Sequence, residues 1–234
     1  MSSDFYTIVV RNMSATTQYF HVFQQQATFH PAVAASSILS GSLGCQAVGN
    51  YDATGASIDF EMGAEIYAGA ISTAPAVPPS RSARARTMVK VASTNVVRAI
   101  DLASGSTTAL DCTTLSVSPL GMSSPVNQTG IAEGAFGVNV PSYTPTPDPQ
   151  LYCGLATING NGSVLLSSYI APPPNATMTC APTQIFYVKT GYKADGDVVA
   201  YDTTNAASCD FTTGYTRMTV TYNANGTFST QGGS

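Results

Sequence analysis

Apolar and polar residues alternate in short runs along most of this chain, and clusters of Gly, Pro, Asn and Ser punctuate the runs. Alternation with a period of two is the pattern of a half-buried strand. The first two runs, Thr7–Asn12 and Gln18–Gln25, are joined by the polar segment Met13–Thr17 and predict a β-hairpin. Within the second run Tyr19, His21 and Phe23 share one face and Phe20 and Val22 the other. A strand apolar on both faces belongs inside a sheet covered on both sides, or at the wall of a pocket. Further strands are predicted over 56–62, 65–73, 87–92 and 95–102, and short helical structure over 31–39.

Towards the C-terminus the turn signals sharpen. Runs at 155–158 and 164–170 flank Asn159-Gly160-Asn161-Gly162, and runs at 215–222 and 227–230 flank Asn223-Ala224-Asn225-Gly226. Runs at 184–189 and 198–202 flank Asp195-Gly196. Asn-Gly and Asp-Gly supply the positive φ of tight turns, so each pair reads as a hairpin. No stretch of ten or more residues carries a helical period. The fold class that follows is all-β, an antiparallel β-sandwich or flattened β-barrel with long Pro-rich connecting loops.

Two segments interrupt the pattern. Residues 74–86 hold three prolines and three arginines, and 116–149 hold six prolines. The first reads as an exposed connector, the second as a surface wrap or lid. The chain is read as one domain over 1–234, with a division into 1–75 and 87–234 across the connector 75–86 as the alternative.

Composition narrows the chemistry. Only 9% of residues are charged and the net charge is −4, against about 25% charged residues in typical domains. A weakly acidic chain with its basic residues mostly dispersed is a poor partner for a nucleic-acid backbone, so no nucleic acid is expected. No run approaches the roughly 18 apolar residues of a membrane helix, so no membrane span is expected. The opening residues lack a basic and apolar leader pattern, which favours a cytoplasmic protein. The Asn-x-Ser/Thr sequons at Asn12, Asn127, Asn161, Asn175 and Asn225 keep secretion as the alternative. Self-association into a homo-oligomer is compatible with all of this.

Five cysteines, Cys45, Cys112, Cys153, Cys180 and Cys209, lie far apart in sequence, so no CxxC motif exists. They read first as buried thiols, with Cys153, Cys180 and Cys209 the candidates for disulfides in an oxidising compartment. Two histidines cannot form a His-rich metal site, and Asp195, Asp197 and Asp202 do not follow the EF-hand spacing. Walker A and Gly-x-Gly-x-x-Gly patterns are absent. No metal and no cofactor is expected.

The strongest candidate chemistry is the run Ile58-Asp59-Phe60-Glu61-Met62. On a strand Asp59 and Glu61 point the same way, about 7 Å apart along the chain. That separation suits an acid/base pair, and it is also the ordinary polar face of an amphipathic strand. His21, Asp59 and Glu61 are the candidate catalytic groups, and Tyr19, Phe23 and Tyr67 the candidate ligand-contacting aromatics. Two functions fit. One is a non-catalytic binding module that recognises a neutral ligand such as a carbohydrate, or a protein surface. The other is a cofactor-free cyclase or isomerase acting on a hydrophobic small molecule in an apolar cavity.

Overall fold

A computed structural model describes residues 5–73, 93–145 and 150–233. Among them the chain forms four β-sheets, with strands numbered in chain order. The first sheet contains β1 (Phe5–Asn12), β6 (Ile58–Gly63), β18 (Arg217–Tyr222) and β19 (Phe228–Gly233), in the order β19-β18-β1-β6. The second contains β2 (Gln18–Gln24), β5 (Gly44–Val48), β15 (Ile185–Thr190) and β17 (Ala207–Asp210), in the order β17-β15-β2-β5. The third contains β3 (Thr28–His30), β9 (Cys112–Val117), β10 (Leu120–Met122), β11 (Phe136–Val140) and β14 (Ala176–Ala181), in the order β10-β9-β11-β14-β3. The fourth contains β4 (Leu39–Gly41), β7 (Tyr67–Thr73), β8 (Ser93–Ala99), β12 (Leu151–Ile158), β13 (Val164–Ile170) and β16 (Val198–Val199), in the order β16-β4-β13-β12-β7-β8. Pairing is antiparallel except for β1 with β18 and β9 with β11.

The alternation in sequence becomes two sandwich cores. In the first, Ile8, Val10, Phe60, Met62 and Val220 of one sheet face Phe20, Val22, Phe186, Val188 and Cys209 of the other. In the second, Leu115, Phe136, Val138, Met178 and Cys180 face Ala68, Ala70, Cys153, Leu155 and Ile170. The chain is all-β and sandwich-like, and no sheet among the described residues closes into a barrel. It passes back and forth between the cores: β3 and β4 belong to the second, β5 and β6 to the first, β7 to β14 to the second.

Several local expectations are corrected. β1 and β2 do not form a hairpin, because β1 pairs with β18 and β6 while β2 pairs with β15 and β5. The Met13–Thr17 link is an arch from one sheet to the other. Asn12 fixes it: fully buried, its Nδ2 donates to the carbonyls of Thr16 at 2.8 Å and Val48 at 2.9 Å. An arch suits two strands that each need a cover on both faces. Asp195-Gly196 also links different sheets, since β15 lies in the first sandwich and β16 in the second. The Asn159–Gly162 and Asn223–Gly226 turns do join hairpins, β12–β13 and β18–β19.

The helical reading of 31–39 reduces to a single 3-10 turn, Ala35–Ser37. The Pro-rich zone 116–149 is not only a surface wrap, because β11 inside it is a central strand with Phe136 and Val138 fully buried. The connector 75–86 and the expected strand 87–92 lie outside the described residues. The strands on either side, β7 and β8, pair in register from Tyr67↔Ala99 to Thr73↔Ser93.

All five thiols are free, Cys45 half-buried and the other four buried. Cys209 lies in the first core, whereas Cys153 and Cys180 lie in the second, so their shared half of the sequence does not make one disulfide group. Burial pushes the thiols of Cys153 and Cys209 up to about 12, which keeps them protonated and inert as small core hydrophobes.

Candidate functional site

Strands β5 and β6 are edge strands of the two sheets of the first sandwich, and they lie on the same side of it. Ile58, Phe60 and Met62 of β6 enter the core, so Asp59 and Glu61 point outward and are exposed. An open cleft of about 430 Å³ forms along this edge. Asp59, Phe60 and Glu61 form one wall and Leu43 to Gln46 another. Asn159 to Asn161 and Asp195 complete it from distant parts of the chain.

The β12–β13 turn is held onto β6 by its backbone. Gly160 N–H donates to the Glu61 carbonyl at 2.9 Å, and Asn159 forms an isolated bridge with Met62. Glycine at position 160 leaves room for the Glu61 side chain: a Cβ there would lie 2.5 Å from Glu61 Oε2 and 2.9 Å from Glu61 Cβ, so Glu61 would have to shift. Ser163 N–H donates to the Oδ1 atoms of both Asn159 at 2.9 Å and Asn161 at 2.8 Å. Those bonds anchor the two carboxamides and do not use their Nδ2 donors.

Asp195 is positioned by the buried Ser42. Gly196 N–H donates to the Ser42 carbonyl at 2.8 Å, Ser42 N–H to the Asp197 carbonyl at 2.9 Å, and Ser42 Oγ–H to the Lys193 carbonyl at 3.1 Å. Asp59 sits 3.6 Å from the Arg217 guanidinium in an exposed ion pair, an arrangement that contributes little to stability. The cleft wall is therefore a cluster of carboxylates and carboxamides, anchored by backbone hydrogen bonds.

The structure separates the other candidates from this cleft. His21 is 6% exposed on the outer face of β2, covered by the 191–193 segment. With the proton on Nδ1 it donates to the Gly191 carbonyl at 3.0 Å. Its cross-strand partner Cys45 lines the cleft, so His21 lies one strand behind it. Phe23 is fully buried beneath Tyr187 and Tyr201, with ring centroids at 5.5 and 6.1 Å. Tyr19 on the same face is exposed and meets Tyr192 edge-on at 5.3 Å. Tyr67 belongs to the second sandwich, and its hydroxyl donates to the Glu65 carboxylate. Burial and that carboxylate push the Tyr67 hydroxyl up to about 12.

Asp59 and Glu61 are legible in the sequence, whereas Asn159 reads there as a turn residue, Asn161 as a turn residue and sequon, and Asp195 as a turn residue without the EF-hand spacing. Their part in the cleft comes from tertiary contacts that no local pattern carries. Among the described residues no group of three or more His, Cys, Asp or Glu side chains is arranged to hold a metal ion. No described helix is long and apolar enough to cross a membrane.

Burial holds His21 below its ordinary range, the Lys193 and Lys189 ammonium groups add to this, and the Gly191 carbonyl opposes it. The unfolded chain binds that proton near pH 6.5. Stability from this source is thus complete above about pH 6.5 and declines as the pH falls below it, until folded His21 is protonated as well. Thermal melts between about pH 7.5 and 5 should show a falling Tm, and His21→Gln should flatten the slope. Equal slopes would remove His21 from the linkage. Asp202 titrates in a separate window, because Lys189 and Thr204 hold its carboxyl at about 2.

Compared with protein-family models, curated proteins and solved structures, the chain matches none of them.

Proposed function

We propose that the chain is a non-catalytic β-sandwich binding module whose cleft takes a neutral carbohydrate. The observation that carries this reading is the cleft wall itself: Asp59, Glu61 and Asp195 beside the carboxamides of Gln46, Asn159 and Asn161. Carboxylates accept from hydroxyls, and carboxamides both donate and accept, so together they match the paired hydroxyls of a sugar. Hydrogen bonds to charged acceptors are worth about twice those between neutral groups. Asp59 and Glu61 are thus the main contributors, and the same carboxylates repel uronate, sialate and sulfate groups.

A cofactor-free cyclase or isomerase needs an enclosed apolar chamber with a polar group aimed inward. His21 is covered by the 191–193 segment, and Asp59 and Glu61 stand on an open polar cleft. That arrangement supports binding over turnover.

Neutral and acidic glycans on an array, probed with the wild-type protein and an Asp59→Asn/Glu61→Gln double variant, test the reading. Neutral glycans should bind the wild type, and the double variant should lose about a hundredfold in affinity, with its circular dichroism unchanged. Absence of neutral-glycan binding, a preference for acidic glycans, or full retention by the double variant would each overturn it.

A further inference from the structure

We infer that the cleft continues onto the Tyr19–Tyr192 pair, and that the ligand is a linear neutral oligosaccharide long enough to span both. This inference rests on the carbohydrate reading of the cleft. Two independent connections join the pair to the cleft. The first is β5: its residues Gly44 to Gln46 line the cleft, and the next residue, Ala47, is the cross-strand partner of Tyr19. With strands about 4.8 Å apart and a rise of about 3.3 Å per residue, Tyr19 starts about one strand spacing beyond the cleft wall. The second is the segment from Tyr192 to Asp195. Its Asp195 end lines the cleft, Lys193 N–H donates to Cys45 Sγ at 3.4 Å, and Gly191 N–H donates to the Tyr19 carbonyl at 2.8 Å. The exposed segment therefore lies over the outer face of β2 and β5, with one end at each place.

The pair has the properties of a stacking subsite. Tyr19 is 48% exposed and Tyr192 65% exposed, in a chain with no tryptophan. Their rings meet at 86°, so each braces the other edge-on while ring face remains open to solvent. Tyrosine offers a large, rigid contact with only two side-chain torsions to order, which suits the apolar C–H face of a pyranose. The polar cleft and the aromatic pair divide the work: hydroxyls are recognised in the cleft, and a following ring is held by stacking.

Calorimetric titration with cello-, malto- and manno-oligosaccharides of increasing length, from monosaccharide to hexasaccharide, tests this. Affinity for the series that binds should rise about tenfold once the chain is long enough to reach Tyr19. A Tyr19→Ala/Tyr192→Ala variant should lose that rise yet keep the wild-type affinity for the monosaccharide. Tyr19→Phe/Tyr192→Phe should keep both. Affinity independent of chain length, or a rise that survives the alanine changes, would overturn the extended site while leaving the cleft reading intact. A failure of every oligosaccharide to bind would overturn both.

Discussion

A Phe20→Ala variant is expected to lose about 4 kcal/mol of stability and to melt about 10 °C lower than the wild type. Phe20 is fully buried in the first core. From β2 it reaches across to the opposite sheet, where its ring meets Tyr222 at 5.6 Å and Phe228 at 6.3 Å, both edge-on. Removing the ring forfeits its transfer free energy and leaves a cavity between two sheets that cannot collapse onto each other. Phe228 lies on the edge strand β19, so the loss reaches the strand that ends the described chain. A Phe20→Ala/Phe228→Ala double variant should therefore cost less than the sum of its single changes. Urea unfolding of the four proteins checks this; strict additivity would mean that the rings act independently.

Gly154→Ala should lose about 3 kcal/mol, through the opposite fault, overcrowding. Gly154 lies on β12 between Gly69 of β7 and Tyr169 of β13. An added Cβ would stand 2.3 Å from the Ser168 carbonyl oxygen and 2.7 Å from Tyr169 Cα. Both are backbone atoms, so no side chain can rotate away and the β12–β13 ladder has to shift. Gly63→Ala, whose new methyl would meet the Ile158 carbonyl oxygen at 3.4 Å and Ile158 Cβ at 4.0 Å, both ordinary contacts, is the matched control and should cost less than about 1 kcal/mol. Differential scanning calorimetry separates the two outcomes.

These two variants lie in different cores. Because the chain passes between the sandwiches several times, we read it as one cooperative unit. Each variant is then expected to move a single common transition. A scan that resolves two transitions, with only one displaced in each variant, would divide the chain into two units.

Much of this fold is legible in the sequence because burial on a strand follows parity. Ile58, Phe60 and Met62 are buried while Asp59 and Glu61 are exposed, as their alternation predicts. The Asn-Gly turns at 159–162 and 223–226 specify hairpins because their neighbours pair locally. Sheet assignment is not local. Nothing in Met13–Thr17 distinguishes a hairpin from an arch, and the deciding bonds run from Asn12 to Val48, far along the chain. β11 was hidden by its flanking prolines, although Phe136, Val138 and Val140 alternate with Gly137 and Asn139. The cleft was half legible for the same reason. Asp59 and Glu61 share a strand face, whereas Asn159, Asn161 and Asp195 join them only through the fold.

On the proposed reading, Asp59, Glu61 and the Asn159–Asn161 turn form a carbohydrate site. Backbone amide chemical-shift mapping during titration with mixed neutral oligosaccharides tests it most directly. Saturable shifts should concentrate at Gln46, Asp59, Glu61 and Asn159 to Asn161, with the second-sandwich core unmoved. Saturable shifts centred elsewhere, or none at saturating sugar, would contradict it.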